Sequence, residues 1–402
     1  MPPATPSAPL PPGALIQGRP AMLGVLGGGQ LGRMFVHAAQ ALGYETVVLD
    51  PDRHSPAGRV AHHFIEADYR DPNALRELAA RAVAITTEFE NVPAEALATL
   101  ARSRRVTPAA EAVAIAQDRI REKAHFARCA RTGGVPPAPW AALETEADLA
   151  AVPDALLPGV LKTARLGYDG KGQARVRSRD ELAAAWAGMG RVPCVLERLL
   201  PLAAECSVIV ARGADGQAVS LPVQRNLHRG GILAVTEVYE GNVPPGLASQ
   251  AQEATIKIAD ELNYVGVLCV EFFVLEDGAL VVNEMAPRPH NSGHYTVDAC
   301  DLSQFDLQVR ALAGLPLPAP RQHSAAIMLN LLGDLWFDAS GQPRQPPWQQ
   351  VLALPGAHLH LYGKAQARPG RKMGHLTFTG ADAARVRAHA LAAAGLLGIE
   401  PF

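Results

Sequence analysis

The sequence predicts a mixed fold, α/β at its start and α+β beyond. An N-terminal open parallel α/β domain leads into a larger domain of many short strands, and a small C-terminal β-rich domain ends the chain. Three observations predict this. Strand-like and helix-like runs alternate from residue 21 to 117, the pattern of a parallel sheet. Between 135 and 315 the strand-like runs are short, and two of them flank an Asp277-Gly278 turn. Pro316, Pro318 and Pro320 then punctuate the chain before a last set of short strands.

The elements follow in order. Residues 1–20 are rich in Pro, Ala and Gly, almost uncharged, and lack the basic start and apolar centre of a signal peptide. They are expected to form a disordered tail. Residues 21–26 read as a buried strand, 27–32 as a glycine-rich turn, and 33–42 as a helix stopped by Gly43. Strands are expected at 46–50 and 82–86, and helices at 73–80, 94–101 and 118–132. The domains are therefore set at 21–117, 118–315 and 316–402. The last holds strands over 325–331, 358–362 and 375–379 and a helix near 382–395. No internal repeat is visible.

Composition excludes several classes. The 402 residues leave room for two or three domains with a large core. A formal charge of −2 gives no broad surface for nucleic acid or anionic membrane. No run of apolar residues is long enough to span a bilayer. Cys129, Cys194, Cys206, Cys269 and Cys300 are scattered with no CxxC pair, so they read as reduced core residues of a cytoplasmic protein.

Two carboxylates mark the chemistry. The strand runs 269–274 and 279–286 each carry one acid, Glu271 and Glu284, where an apolar residue would be the default. Buried carboxylates without a partner are costly, so this pair needs a cation. Oxygen ligands on adjacent strands, with Asn283 beside one of them, suit Mg²⁺ held jointly with substrate phosphates, and Mn²⁺ by the same ligand chemistry. Just beyond lie Arg288, His290, Asn291 and His294, a polar cluster that points to an anionic substrate.

Two glycine-rich loops bear on that substrate. Gly27-x-Gly29-x-x-Gly32, with Asp50 closing the next strand, fits a dinucleotide fingerprint. Its physical content is only that bare helix amides bind an anion, so a phosphate on another ligand, or a purely structural turn, fits as well. Gln30 is the polar side chain at this turn. The second loop follows Lys162, a cation inside an apolar strand, and comprises Gly167, Tyr168, Asp169, Gly170, Lys171, Gly172 and Gln173. It reads as a flexible lid whose amides close over phosphates, and it is not a GxxxxGK[ST] loop. Downstream, Glu197, Arg198, Leu199 and Leu200 run from a strand into a linker, an arrangement whose backbone can meet an adenine edge. Glu205 in the next strand can hold ribose hydroxyls.

In this order and spacing, Lys162, the lid, Glu197–Leu200, Glu205, Glu271 and Asn283-Glu284 resemble the ATP-grasp ligases. The resemblance narrows with Gly27-Gly-Gly-Gln-Leu-Gly-Arg-Met34, Thr87-Glu-Phe-Glu-Asn-Val-Pro93, Gln117-Asp-Arg119, Gly167-Tyr-Asp-Gly-Lys-Gly172, Asn283-Glu-Met-Ala-Pro-Arg-Pro-His-Asn-Ser-Gly-His294 and Gly370-Arg-Lys-Met-Gly-His375. Together these are similar to the N5-carboxyaminoimidazole ribonucleotide synthetases, over residues 21–400. The resemblance implies an ATP-grasp fold, with a pre-ATP-grasp substrate domain at 21–117 and the nucleotide-binding domain at 118–315. It also implies a homodimer, and a reaction in which ATP and bicarbonate carboxylate 5-aminoimidazole ribonucleotide through carboxyphosphate.

It further implies roles. Glu271 and Glu284 hold the metal, with Asn283 assisting. Arg119, Lys162 and the lid contact the ATP phosphates, and His228 matches a nucleotide-contact position. Arg288 meets bicarbonate or carboxyphosphate, since a guanidinium fork suits a planar carboxylate. His290 and Asn291 orient bicarbonate or the amine, and His294 supports them from behind. Tyr168 and Asp169 match positions that meet the aminoimidazole nucleotide, with Asp169 near its amine or ribose. Gln30, Lys364 and Arg371 are candidates for its phosphate.

Three other readings remain open on sequence: an ATP-grasp ligase for another substrate, a non-catalytic nucleotide-binding regulator, and a dinucleotide-dependent oxidoreductase. The last leaves everything after residue 118 unexplained. His62-His63 and His358-x-His360 resemble metal pairs but bring no further ligands, so they read as structural or exposed.

Overall fold

The computed structural model describes residues 8–16, 18–167 and 172–402. The first sheet is five-stranded and parallel, in the order His63–Glu66, Glu45–Asp50, Met22–Leu26, Ala84–Thr87, Arg105–Val106. Met22–Leu26 at its centre is buried at all five positions, as a strand covered on both faces must be. The helix after the glycine turn begins at Gln30, three residues before the expected start, so Gln30 is its first residue.

Residues 8–16 and 18–20 correct the expected disordered tail. Leu15–Ile16 pairs with Arg19–Pro20, and the Leu10 amide donates to the Ala313 carbonyl at 2.8 Å. Arg105 donates to the Ala8 carbonyl and Tyr44 to that of Leu10. The segment lacks charge and periodicity, but Leu10 and Ala14 pack on the first domain's core, and that contact orders it.

A four-stranded antiparallel sheet follows, in the order Gln173–Val176, Gly159–Thr163, Cys194–Arg198, Trp140–Leu143. Next comes a long antiparallel sheet in the order Leu280–Ala286, Gly266–Leu275, Leu202–Arg212, Gln224–Arg229, Ile232–Val238, Ala325–Leu332, Lys372–Gly380, Ala357–Leu361. The strands beyond Pro320 thus extend the middle domain's sheet instead of forming one of their own.

Alternation along Leu202–Arg212 shows how this sheet is buried. Cys206, Val208 and Val210 face the helix Pro245–Glu261, while Ile209 and Ala211 face the helix Gln304–Ala313. The second helix is buried nearly all round, Gln304 and Gln308 included, because both of its sides are covered. Leu307 and Ala311 meet the long sheet, and Phe305, Val309 and Leu312 meet Phe35 and Val36 of the first domain. Burying Phe305 alone stabilises this junction by about 1.5–3 kcal/mol. Ser303 and Asp306 form a capping box at the helix start, and Gly314 at φ 71° ends it. This helix fixes the segment carrying Arg288 to His294 against the first domain.

Candidate active site

The hairpin forms as the sequence predicts, turning at Glu276-Asp277-Gly278, and Glu271 pairs in register with Glu284. The register slips just beyond, where Phe272 faces Val282, so Asn283 is the extra residue of a bulge. The bulge places Asn283 and Glu284 together opposite Glu271. Burial first, and then the Glu284 charge, push the Glu271 carboxyl up to about 7. Asn283 Oδ1 is buried without a hydrogen-bond partner. Two facing carboxylates and an orphaned amide oxygen are the donor set of a hard divalent cation, and they fit Mg²⁺.

These residues line one cleft of about 780 Å³, the size of a nucleotide site. Arg119, Lys162, Gly167, Gln173, Glu197, Arg198, Leu199 and Leu200 form one wall. Glu205, His228, Glu271, Asn283, Glu284, Arg288, His290 and Asn291 form the other. Gly172 lies near the far end of the glycine-rich loop, where its φ of 68° and its carbonyl bond to the Thr163 amide suit glycine. Tyr168, Asp169, Gly170 and Lys171 fall outside the described residues. Gln30, Lys364 and Arg371 are not on the cleft walls. Lys364 donates to the Lys372 carbonyl at 2.6 Å and Arg371 to that of Gln366 at 2.9 Å. Their loop reaches the first domain through Arg59, which donates to the Gly363 carbonyl at 3.2 Å.

Asp118 caps the helix Arg119–Arg131 and so sets Arg119 at its first position. The Arg119 guanidinium donates to the carbonyls of Thr163 and Gly167, tying down the start of the glycine-rich loop, and lies 3.8 Å from Glu284. Lys162 pairs with Glu197 at 3.2 Å, and Lys123 pairs with the same carboxylate at 3.2 Å from the other side. Burial works against the Glu197 charge, but the two lysines outweigh it and hold the carboxyl below its usual range. The Glu197 side chain is therefore committed to cations. The amides of Arg198 and Leu199 are also engaged, by the carbonyls of Pro139 and Pro158.

His228 Nδ1 approaches Glu205 Oε2 to 2.7 Å, without the alignment of a hydrogen bond. Burial opposes its charge, but Glu205 prevails and its pKa rises. Arg288 is held by an ion pair to Glu90 rather than by Glu271 or Glu284. His290 Nε2 lies 3.1 Å from Glu271, and its Nδ1 is 2.9 Å from the Ser292 hydroxyl. Burial, followed by Arg288, keeps this ring well below the usual histidine range and neutral. Gln304 grips the His290 amide and carbonyl and lies 3.2 Å from the Nδ1 of the fully buried His294, which does not line the cleft. Asn291 Nδ2 is buried with no partner, an unmatched donor in a cleft wall.

Sequence reasoning missed Glu90, Glu122, Lys123 and Lys372. Lys123 is 1% exposed and donates to the Asn283 carbonyl at 2.7 Å, joining the lysine–glutamate cluster to the bulge. Glu122 accepts from the Met285 amide, and burial pushes its carboxyl up to about 8. The signal was available: Glu122, Phe126 and Cys129 share one helical face, so a charge there is a buried one.

Three family profiles match the chain in sequence order. They are a ribonucleotide synthetase preATP-grasp domain over 21–117, an ATP-grasp domain over 128–305, and a phosphoribosylaminoimidazole carboxylase C-terminal domain over 326–389. The N5-carboxyaminoimidazole ribonucleotide synthase of Brucella melitensis is 46% identical over 358 residues, covering 88% of this chain and 95% of its own. The chain belongs to the N5-carboxyaminoimidazole ribonucleotide synthase family. Within that family the Bacillus subtilis protein is 41% identical, over 89% of this chain and 91% of its own. A solved N5-carboxyaminoimidazole synthase from Aspergillus clavatus, in complex with ADP and 5-aminoimidazole ribonucleotide, superposes with a TM-score of 0.83 at 33% identity. It covers 94% of this chain and 99% of its own. The fold is thus the ATP-grasp fold, with a parallel α/β domain before it and a β-rich segment after. No helix among the described residues is long and apolar enough to cross a membrane.

Proposed function

We propose that this chain is an ATP-dependent carbon–nitrogen ligase of purine biosynthesis. It joins bicarbonate to the exocyclic amine of 5-aminoimidazole ribonucleotide, giving N5-carboxyaminoimidazole ribonucleotide, ADP and phosphate. The observation that carries the reading is the meeting, in one cleft, of the cation-poor Glu271–Glu284 pair with Arg288 and the unmatched Asn291 amide. On this reading a phosphate-binding end lies directly beside a small-anion end.

Glu271, Glu284 and Asn283 would hold Mg²⁺, which when bound neutralises charge on the ATP phosphates. Arg119 and Lys162, with the lid over residues 167–173, contact those phosphates. Because the amides of Arg198 and Leu199 are taken, an adenine edge would use the carbonyls of 197–200 or the Leu200 amide. Glu205, with His228 against it, faces the ribose.

Arg288, braced by Glu90, binds bicarbonate bidentately, and Asn291 donates to the same anion. A bicarbonate oxygen attacks the γ-phosphorus and ADP leaves, forming carboxyphosphate. The amine nitrogen then bonds to the carboxyl carbon as the C–O bond to phosphate breaks, and the departing phosphate takes the proton the amine loses. Neutral His290 orients these partners, and Asp169 would hydrogen-bond the amine. Lys364, Arg371 and Gln30, which lie either side of the Arg59–Gly363 junction, would hold the nucleotide's phosphate. The protein would work in the cytoplasm as a homodimer.

The test is ADP release from purified protein with ATP and Mg²⁺, adding bicarbonate and aminoimidazole ribonucleotide singly and together. Turnover is expected only, or far faster, with both. ATP hydrolysis indifferent to the ribonucleotide would overturn the reading.

A further inference from the structure

His358-x-His360 looks in sequence like a pair with no further ligands, but the fold supplies them. The strand Ala357–Leu361 runs antiparallel to Lys372–Gly380 and sets His360 directly opposite His375, with the two rings stacked 4.5 Å apart. The short helix Thr296–Ala299 brings Asp298 to the same place. Its carboxylate lies 2.9 Å from His360 Nε2 and 3.6 Å from His358 Nδ1. One ligand atom each from Asp298, His360 and His375 lie within 4.8 Å of one another.

A second observation points to a ligand. His375 is fully buried, its Nδ1 is 3.0 Å from the Tyr362 hydroxyl, and its Nε2 has no partner. A native protein rarely leaves such a nitrogen orphaned unless something else binds it.

We propose that Asp298, His360 and His375 form a binding site for a divalent transition-metal ion, Zn²⁺ being the best fit. Two imidazoles and a carboxylate select Zn²⁺ and its neighbours over Mg²⁺, which prefers oxygen ligands. Metal–ligand bonds of about 2.0–2.2 Å place tetrahedral ligand atoms about 3.4 Å apart. The His360 and His375 rings, stacked in the metal-free structure, would have to turn out of that stack to present a nitrogen each at this spacing. His358, two residues from His360 and therefore on the same strand face, or water, would complete the shell.

The site has a mechanical consequence. The two strands bearing these histidines are joined by the loop that carries Lys364 and Arg371, and Asp298 follows directly on the segment carrying Arg288 to His294. The His294 ring is 4.7 Å from that of His375. A bound ion would clamp the base of the loop to the catalytic segment.

The test uses untagged full-length protein, stripped with chelator and titrated with Zn²⁺ by calorimetry, with Co²⁺ absorption as a spectroscopic readout. One equivalent is expected. It should persist in an E271Q/E284Q double variant, which separates it from the carboxylate pair in the cleft. His360→Gln and Asp298→Asn, at partly exposed positions, should each weaken binding by at least about 100-fold and abolish the four-coordinate Co²⁺ spectrum, with circular dichroism unchanged. Failure of the wild type to bind, or equal binding by both single variants, would overturn the proposal.

Discussion

Asp50 and Glu88 sit beside the glycine turn of the first sheet, and Glu271 and Glu284 face each other across the hairpin of the long sheet. The first pair is surrounded by donors. Glu88 accepts from the amides of Gly29 and Gly32 at 2.7 and 2.9 Å, and Asp50 accepts from the Gly28 amide and the Tyr69 hydroxyl, each at 2.6 Å. The second pair has His290 beside Glu271 and Arg119 at 3.8 Å from Glu284, but no backbone amide among the described residues. The difference teaches what a buried acid is for. Carboxylates that fill a ring of amides close a turn, whereas carboxylates that face mainly each other wait for a cation. It also explains why the dinucleotide-like fingerprint misleads: the amides a phosphate would use are already taken by the chain's own acids. The glycines are required for that closure, since a Cβ on Gly29 would lie 2.4 Å from Glu88 Oε1.

The largest effect should come from the waiting pair. Glu284→Gln removes one anionic ligand while its side chain, half-exposed, needs no internal donor. Turnover of Mg²⁺-ATP should fall by about 10²- to 10³-fold with the fold intact. Steady-state ADP release and circular dichroism on the same sample decide this, and normal turnover would take Glu284 out of the cation site.

The closed pair should respond in the opposite sense. Glu88→Ala leaves the Gly29 and Gly32 amides without their acceptor, and the second of these bonds is buried. Leaving such donors unmatched costs about 1–3 kcal/mol each. The urea midpoint should drop accordingly, and Glu88→Gln, which keeps one acceptor oxygen, should lose less. If Glu88→Ala unfolded at the wild-type midpoint, the contrast between the two regions would be broken.

How much of this was legible depends on where each signal lies. The hairpin, the bulge residues Asn283-Glu284 and the cleft-lining Arg288 could be read because acids and an arginine interrupt strand-like runs at one place in the chain. Glu90 and Lys123 could not be paired with their partners in advance. Glu90 meets Arg288 across 198 residues, and Lys123 reaches Asn283 across 160. Such contacts depend on the docking of the helix Gln304–Ala313 and of the helix Arg119–Arg131, which no local pattern sets. The ordering of residues 8–16 was hidden for the same reason, since its cause is the distant Ala313 carbonyl and Arg105.

The smallest effect, and the one that sharpens the comparison most, is in pH. Burial and Glu284 raise the Glu271 carboxyl from 4.5 to about 7 in the folded, metal-free protein. A raised acid favours the folded state while it is protonated, so this contribution is present below 4.5 and lost as pH rises through about 7. His290, His294 and His375 shift the other way, because burial holds each below its ordinary 6.5. Their contribution is present above 6.5 and lost as pH falls, so a plain melting curve mixes both signs. The difference between wild type and Glu271→Gln isolates the acid, since glutamine stands in for its protonated form. Without metal the two should melt together below pH 4.5, and the variant should become progressively the more stable between 4.5 and about 7, with no further change above. Added Mg²⁺ should reverse that gap above pH 7 by stabilising only the wild type. A gap that neither grows with pH nor answers to Mg²⁺ would mean that Glu271 does not wait for a cation, and the two regions would then differ only in their donors.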